Sequence, residues 1–579
     1  MPFLKELNPT QKEAVTFGDG PLLILAGAGS GKTKVLTTRV AHLVLKRDVR
    51  PESVLAVTFT NKAAGEIRER LTALMGERAR RLWLGTFHSI GLRILRSEGR
   101  RTGVGPELTV YNTDDQIALV KLAMEELKIS DKAFSPRAML SRIDRAKNEN
   151  IGPDEYLADA GDFLSDRVAR VYTLYQKKLR EMGAMDFGDL ICEPIRLLNS
   201  DPDMLARYCS RFRHILVDEY QDTNRAQYLL MNLLAEGHGN LCAVGDPDQS
   251  IYGWRGADVQ NILDFERDWT NATVVRLEQN YRSTKSILAA ANSVIKNNRG
   301  RMEKTLWTEN PEGPPASYRE CRDEHREAET VTARVRETLV EEPSLGYGDF
   351  AVFYRTNAQS RVFEEKFLRE GIPYTIVGGV RFYDRKEIRD ALAFLRVVAN
   401  PGDSMGLKRI INTPPRGIGK VTVERVSKLA AEKSISLFEA FGEAIKTGIV
   451  KNARAEKLFE AFERTRENLE KSEGVPLHEL ALGLLIDNGY IEHLEVQRTD
   501  EAMDRLENVH EFISAIKEFE SAPSPSSEEG GGGGSTLSEF LDRVSLISDV
   551  DTWEDKKNSV TLMTLHSAKG LEFPVVFMV

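Results

Sequence analysis

Cysteine is scarce in this chain. Four occur among 579 residues (Cys192, Cys209, Cys242 and Cys321), and no two form a C-x-x-C pair. That excludes a disulfide frame and the common cysteine-based zinc sites, and it suits a reducing, cytoplasmic setting. Long apolar runs are missing too: there is no stretch of about 18 apolar residues, so no membrane span is expected. The N-terminus, Met1-Pro2-Phe3-Leu4-Lys5-Glu6, lacks the apolar core of a signal peptide. Nor is there an excess of basic charge. With 79 Lys and Arg against 88 Asp and Glu, the net charge is −9. On average that disfavours a polyanion partner, but a nucleic-acid groove needs only local basic and aromatic groups.

What is present is apolar residue enough, 41%, for several cores. A chain this long is expected to split into about three to five domains. Leu22–Leu25, Val54–Phe59 and Leu82–Leu84 read as buried strands separated by helical patterns, which implies a parallel α/β sheet. Residues 109–187 look different, being long, charged and helical with few strand signals. The α/β pattern resumes at Ile215-Leu216-Val217 and Leu241–Val244. A second α/β unit is expected over 282–376, with Phe350–Tyr354 and Tyr374–Val377 as strands. Residues 377–556 are again mainly helical and carry a Pro/Ser/Gly-rich segment, 521–535, that reads as a flexible linker. Strand-like residues return at Val560–Met563 and Pro574–Val579. Because the chain stops inside that last apolar run, a truncated second unit is expected.

Chemistry is concentrated at strand ends. Ala26-Gly27-Ala28-Gly29-Ser30-Gly31-Lys32-Thr33 follows the first strand and opens a helix. Small residues let backbone N–H groups wrap phosphate oxygens, Lys32 would meet the β/γ-phosphates, and Thr33 would ligate Mg²⁺. Asp218-Glu219-Tyr220-Gln221-Asp222 closes the run His214–Val217. Asp218 suits the metal, usually through a water, and Glu219 suits polarising the attacking water. Gln249 stands in the loop Gly245–Gly256, where it can reach the γ-phosphate or that water. Tyr252, Trp254 and Arg255 follow it as a base-stacking platform. Asn8 reads as an N-cap with Pro9 at the first helical position. Gln11 would then project toward an adenine edge, although a surface glutamine is the commoner explanation. Phe59 and Thr86-Phe87-His88 close strands and can line a single-strand groove; His88 has no second ligand at metal spacing. Tyr281 and Arg282 lie at the handover between the α/β units, suiting adenine stacking and an arginine finger.

Taken together these motifs resemble the UvrD/Rep/PcrA group of superfamily-one DNA helicases, closest to the PcrA type. The resemblance runs in order through AGAGSGKT, TFTNKAA (58–64), TFHS (86–89), VDEYQDTN (217–224), GDPDQSIYGWRGAD (245–258), QNYRST (279–284), YRTNAQSR (354–361), VGGVRFYDRKEIRD (377–390) and TLHSAKGLEF (564–573). It implies two RecA-like motor domains, 1–108 with 188–281 and 282–376 with 557–579, each bearing a mainly helical insertion, 109–187 and 377–556. It implies ATP- and Mg²⁺-dependent 3′-to-5′ translocation on single-stranded DNA, with unwinding in repair or replication. By motif position Gln11, Ala26–Lys34, Asp218, Glu219, Gln249, Tyr281, Arg282 and Glu572 would serve ATP, with Glu572 at the ribose. Phe59, Thr86, His88, Phe187, Tyr252, Trp254, Arg255, Asn357 and Lys569 would line the DNA track. Arg416-Gly417-Ile418-Gly419 looks like the glycine turn that family members press on duplex backbone, engaging it through Gly417 and Gly419. Lys34 stands where many members have arginine, and a second phosphate-sensing arginine motif is not reached before Val579. Expected partners are single-stranded DNA, single-strand/duplex junctions and repair or replication proteins, with no membrane and a monomeric chain. Two other readings stay open: a DNA- and nucleotide-binding fragment that cannot cycle, and the motor subunit of a helicase–nuclease complex.

Overall fold

The computed structural model describes residues 2–99, 108–131, 134–355, 359–377, 385–470, 475–497, 500–521, 536–545 and 558–579. The strands of its first half are β1 (Leu22–Ala26), β2 (Val54–Thr58), β3 (Trp83–Thr86), β4 (Thr109–Val110), β5 (Ala184–Met185), β6 (His214–Val217), β7 (Leu241–Gly245) and β8 (Thr273–Leu277). Six of them form one parallel sheet in the order β3-β2-β6-β7-β1-β8. β1, β2, β6 and β7 are buried at every residue, because helices cover both faces and no face needs a polar alternation. Leu23, Leu25, Leu55, Val57, Ile215 and Val217 pack into one core. Their neighbours Leu22, Ile24, Val54, Ala56 and Leu216 pack into the core on the opposite face. β8 was not foreseen in the sequence; it is an edge strand with Arg276 exposed, so it carries a weaker apolar signal.

The first helical region has its own core, with Leu119, Ile143, Tyr172 and Leu179 fully or almost fully buried. It departs from expectation at its base. There β4 and β5 pair in parallel, Thr109 against Ala184 and Val110 against Met185, closing the region where the chain enters and leaves it. Strands of two residues have no visible period, so the pattern could not reveal them.

The second sheet is built from β9 (Phe350–Tyr354), β10 (Tyr374–Ile376), β11 (Val560–Thr564) and β12 (Val575–Met578). All neighbours are parallel, in the order β10-β11-β9-β12. Phe350, Val352, Val560 and Leu562 pack with Val331, Val335 and Phe367 of the covering helices. The second helical region surrounds a separate core that includes Phe394, Phe441, Phe462 and Phe512. The two helical regions are tied together by buried charge. Arg396 meets Asp115 at 2.6 Å and Asp403 at 3.0 Å, while the Tyr111 hydroxyl donates to Asp403 at 3.0 Å. The Pro/Ser/Gly-rich stretch beyond Ser521 lies outside the described residues. Among the described residues no helix is long and apolar enough to cross a membrane.

Candidate active site

Because the first sheet is wholly parallel, the loops after β1, β6 and β7 open on one edge, the usual ligand crevice of such a sheet. After β1 the chain turns through Gly29 and Gly31, both in the left-handed region that glycine adopts without strain. Gly31 then caps helix Lys32–Lys46 with no side chain of its own, leaving the first-turn N–H groups for an anion. The Ser30 hydroxyl donates to the Gly27 carbonyl at 2.7 Å and fixes the loop. Asn280 donates to the Ala28 carbonyl at 2.7 Å, and the Tyr281 N–H to that of Gly29 at 2.9 Å.

The Lys32 ammonium lies 3.1 Å from Glu219 and donates to the Gln249 side-chain oxygen at 3.0 Å. Burial alone would push Lys32 down, but the Glu219, Asp246 and Asp218 carboxylates outweigh it and hold the ammonium above its ordinary value. Burial likewise pushes Glu219 up, yet Lys32 and Lys569 prevail and keep its carboxyl below the usual range. Asp218 beside it goes the other way, pushed up to about 7 by burial and then by the Glu219 charge. Glu219 takes a positive φ of 50°, a conformation that strains a non-glycine residue and turns the chain sharply after β6. Gln221 carries no local mark of a role in the sequence. This fully buried side chain donates to Glu219 at 2.6 Å and accepts the Asp246 N–H at 2.9 Å, joining the β6 loop to the β7 loop.

Thr33 and Asp218 follow β1 and β6 at the same edge. A hydroxyl and a carboxylate are hard oxygen donors, and Mg²⁺ is commonly held by so few protein groups, with phosphates and waters completing its shell. Among the described residues no larger group of His, Cys, Asp or Glu is assembled for a metal. The residues present therefore fit Mg²⁺ held jointly with a phosphate.

Asn8 caps helix Pro9–Thr16 as expected, in a capping box with Gln11. Gln11 is not a surface residue: it is buried and donates to the Ser30 carbonyl at 3.0 Å. Asn8 also donates to the Tyr281 hydroxyl at 2.8 Å, so Gln11 and Tyr281 border the same corner of the cleft. Lys34 faces away, pairing with Glu6 at 3.5 Å. Arg282 pairs with Glu572 at 2.5 Å, uniting the two ATP candidates that follow β8 and β11.

A second row of residues runs beside this edge. Phe59 stands edge-on to Phe87 at 5.3 Å, and His88 edge-on to Phe187 at 5.7 Å. Burial pushes the His88 imidazole down to about 4, so the ring is neutral near pH 7. The Thr86 hydroxyl is occupied in capping helix Phe87–Ser97. Trp254 is 65% exposed, with the Arg255 guanidinium 4.6 Å above its ring. Tyr252 donates to the His566 carbonyl at 3.1 Å, and His566 meets both Trp254 and Arg355. His566 lies inside the TLHSAKGLEF motif, two residues past β11. Lys569 sits closer to the carboxylates than its grouping with the DNA residues suggested. It donates to Asp222 and, at 2.8 Å, to the Gln249 carbonyl, and lies 4.0 Å from Glu219. Asn357 lies outside the described residues. Gly417 and Gly419 belong to the second helical region, at the turn into helix Lys420–Lys433, rather than to the cleft. There the Arg416 guanidinium is buried against the carbonyls of Ile410, Thr413 and Asn488 and so organises the turn itself.

Residues 7–270 match the family model of the UvrD/REP helicase N-terminal domain, and residues 275–579 that of the UvrD-like helicase C-terminal domain. Among curated relatives, an ATP-dependent DNA helicase PcrA of Staphylococcus aureus is 48% identical over 575 residues, covering 99% of this chain and 77% of the relative. Proteins of the same description from Bacillus subtilis and Staphylococcus epidermidis are 46% and 47% identical, with the same coverage.

Proposed function

The chain belongs to the UvrD/REP helicase family, and from that premise we propose that it is an ATP-dependent DNA helicase of repair or replication, moving 3′ to 5′ on single-stranded DNA. It would act in the cytoplasm as a monomer, at single-strand/duplex junctions. The two sheets serve as motor domains, 1–108 with 188–281 and 282–376 with 557–579, carrying the helical regions as insertions.

One observation carries the reading: Lys32, Glu219 and Gln249 share one contact set, and Lys569 reaches into it from the segment after β11. Lys32 exchanges these partners for the β/γ-phosphates when ATP binds. Glu219, ionised at neutral pH, is the base that orients and deprotonates the attacking water. Gln249 senses the γ-phosphate, and its loop continues directly into Tyr252, Trp254 and Arg255. Mg²⁺, bound by Thr33 and Asp218, would supply neutralising charge at the phosphates. Gln11 and Tyr281 border the adenine, Glu572 the ribose, and Arg282 the γ-phosphate once it releases Glu572. Bases stack along Phe59, Phe187 and Trp254, with neutral His88 as a ring rather than a cation. Gly417 and Gly419 would touch the duplex.

Glu219→Gln should remove ATP turnover, by about 10²-fold or more, while single-strand binding persists; turnover like wild type would reject the assignment. Duplexes with a 3′ or a 5′ tail test polarity, since unwinding only from the 5′ tail would reverse it. Single-strand-stimulated turnover by wild type separates a helicase from a fragment that only binds.

A further inference from the structure

The Gln249 amide is gripped at both ends. Its oxygen accepts from Lys32 at 3.0 Å, and its nitrogen donates to Asp246 at 2.5 Å. An amide rotates easily about its last bond, so this orientation lasts only while Asp246 is fixed. Asp246 is 2% exposed, and burying a carboxylate without a cation is costly. That cation is Lys304, whose ammonium lies 2.5 Å from Asp246 and also contacts Asp248. Arg301 clasps Asp248 through two nitrogens, at 3.2 and 2.7 Å. Lys304 is itself 4% exposed and belongs to the chain just after helix Lys285–Ile295. No motif considered in the sequence includes it.

The segment bearing these cations is a strap across the cleft. Its Thr305 N–H donates to the Glu278 carboxylate at 2.9 Å, and its Trp307 pairs with Gln279 in a parallel bridge. Between them, Leu306 lies on Gly27 of the phosphate loop so closely that any Cβ there would collide with it. One short segment thus touches both the phosphate-binding loop and the carboxylate that aims Gln249.

We propose that Lys304, supported by Arg301, is a positioning residue for ATP hydrolysis, acting through Asp246 to keep the Gln249 amide oxygen directed at Lys32 and the γ-phosphate side of the cleft. The inference rests on the helicase reading above. It differs from a merely structural ion pair in one respect: its whole effect on turnover passes through Gln249.

A double-mutant cycle tests this on the full chain, with single-strand-stimulated ATP turnover as readout and thermal melting as the check on folding. Lys304→Met should lower kcat roughly tenfold to a hundredfold, with KM for ATP within about twofold, and Lys304→Arg should restore most of the loss. In a Gln249→Ala background Lys304→Met should cost nothing further. An equal loss in both backgrounds, an unchanged kcat, or a rise confined to KM would overturn the proposal. If Lys304→Met does not fold, the same cycle with the more exposed Arg301→Met decides, with a smaller expected loss of about threefold to tenfold. A wild-type chain with no turnover would overturn the helicase reading and this inference together. A turning-over wild type with an additive cycle would overturn the inference alone.

Discussion

The two sheets solve the same packing problem to different depths. In the first, β1, β2, β6 and β7 are buried along their whole length between two cores. In the second, β9 and β11 are buried almost as fully, but the edge strand β12 alternates between half-buried and exposed, and helix Lys285–Ile295 buries only Leu288. The chemistry divides in the same way. The first sheet carries the phosphate loop and the carboxylates on rigid strand ends. The second unit and its approach contribute cations: Arg282, Arg301, Lys304 and Lys569. Burial at the strand ends pushes Asp218 up to about 7 while Lys32 and Lys569 hold Glu219 ionised, so the carboxylates depend on cations that both units supply. This dependence is what the proposed ATP-gated cleft would use.

Removing a cation from the lighter side should break that arrangement most visibly. Arg282→Ala is expected to lower ATP turnover about 10³-fold with single-strand binding retained, as steady-state kinetics and a binding titration would show. Next comes a pair of core truncations. Leu23→Ala, at a fully buried position of β1, should cost about 2–5 kcal/mol in denaturant unfolding. Val576→Ala on β12, 42% exposed, should stay within about 0.5 kcal/mol, and equal losses would erase the contrast. Trp254→Ala removes a stacking face and should weaken single-strand binding by about 1–3 kcal/mol, leaving ATP affinity unchanged.

The smallest effect concerns acid. His88 has a folded value of about 4, below its ordinary 6.5, so folding favours the neutral ring. Its contribution to stability is complete above pH 6.5 and is lost as pH falls toward 4. His88→Asn should therefore make the melting temperature less dependent on pH across that interval; an unchanged dependence would show that folding does not hold this ring neutral.

Much of the site was legible because its residues are contiguous and follow strong strand signals. Ala26–Thr33, Asp218-Glu219 and Gln249–Arg255 each announce a turn at a strand end, with residue types suited to phosphate, metal, water or base. The Asn8 cap could be read for the same local reason. What escaped notice acts across the chain. Lys304 meets Asp246, Lys569 meets Asp222, Arg396 joins Asp115 to Asp403, and Lys147 is buried between Asp186 and Asp189 at 2.6 and 2.7 Å. A lysine in a charged stretch carries no local mark of having been taken out of water.

The sequence by itself determined the parallel α/β class, the helical regions, the phosphate loop and the order of the motifs, since hydrophobic period and glycine-rich turns act within a few residues. Only the tertiary structure decided which carboxylate each distant cation meets, how far Gln11 and Gln221 are buried, and that a strap from the second unit rests on both Gly27 and Asp246. Those outcomes depend on the desolvation of polar and charged groups by residues distant in the chain or by a neighbouring sheet, and desolvation is a property of the packed molecule.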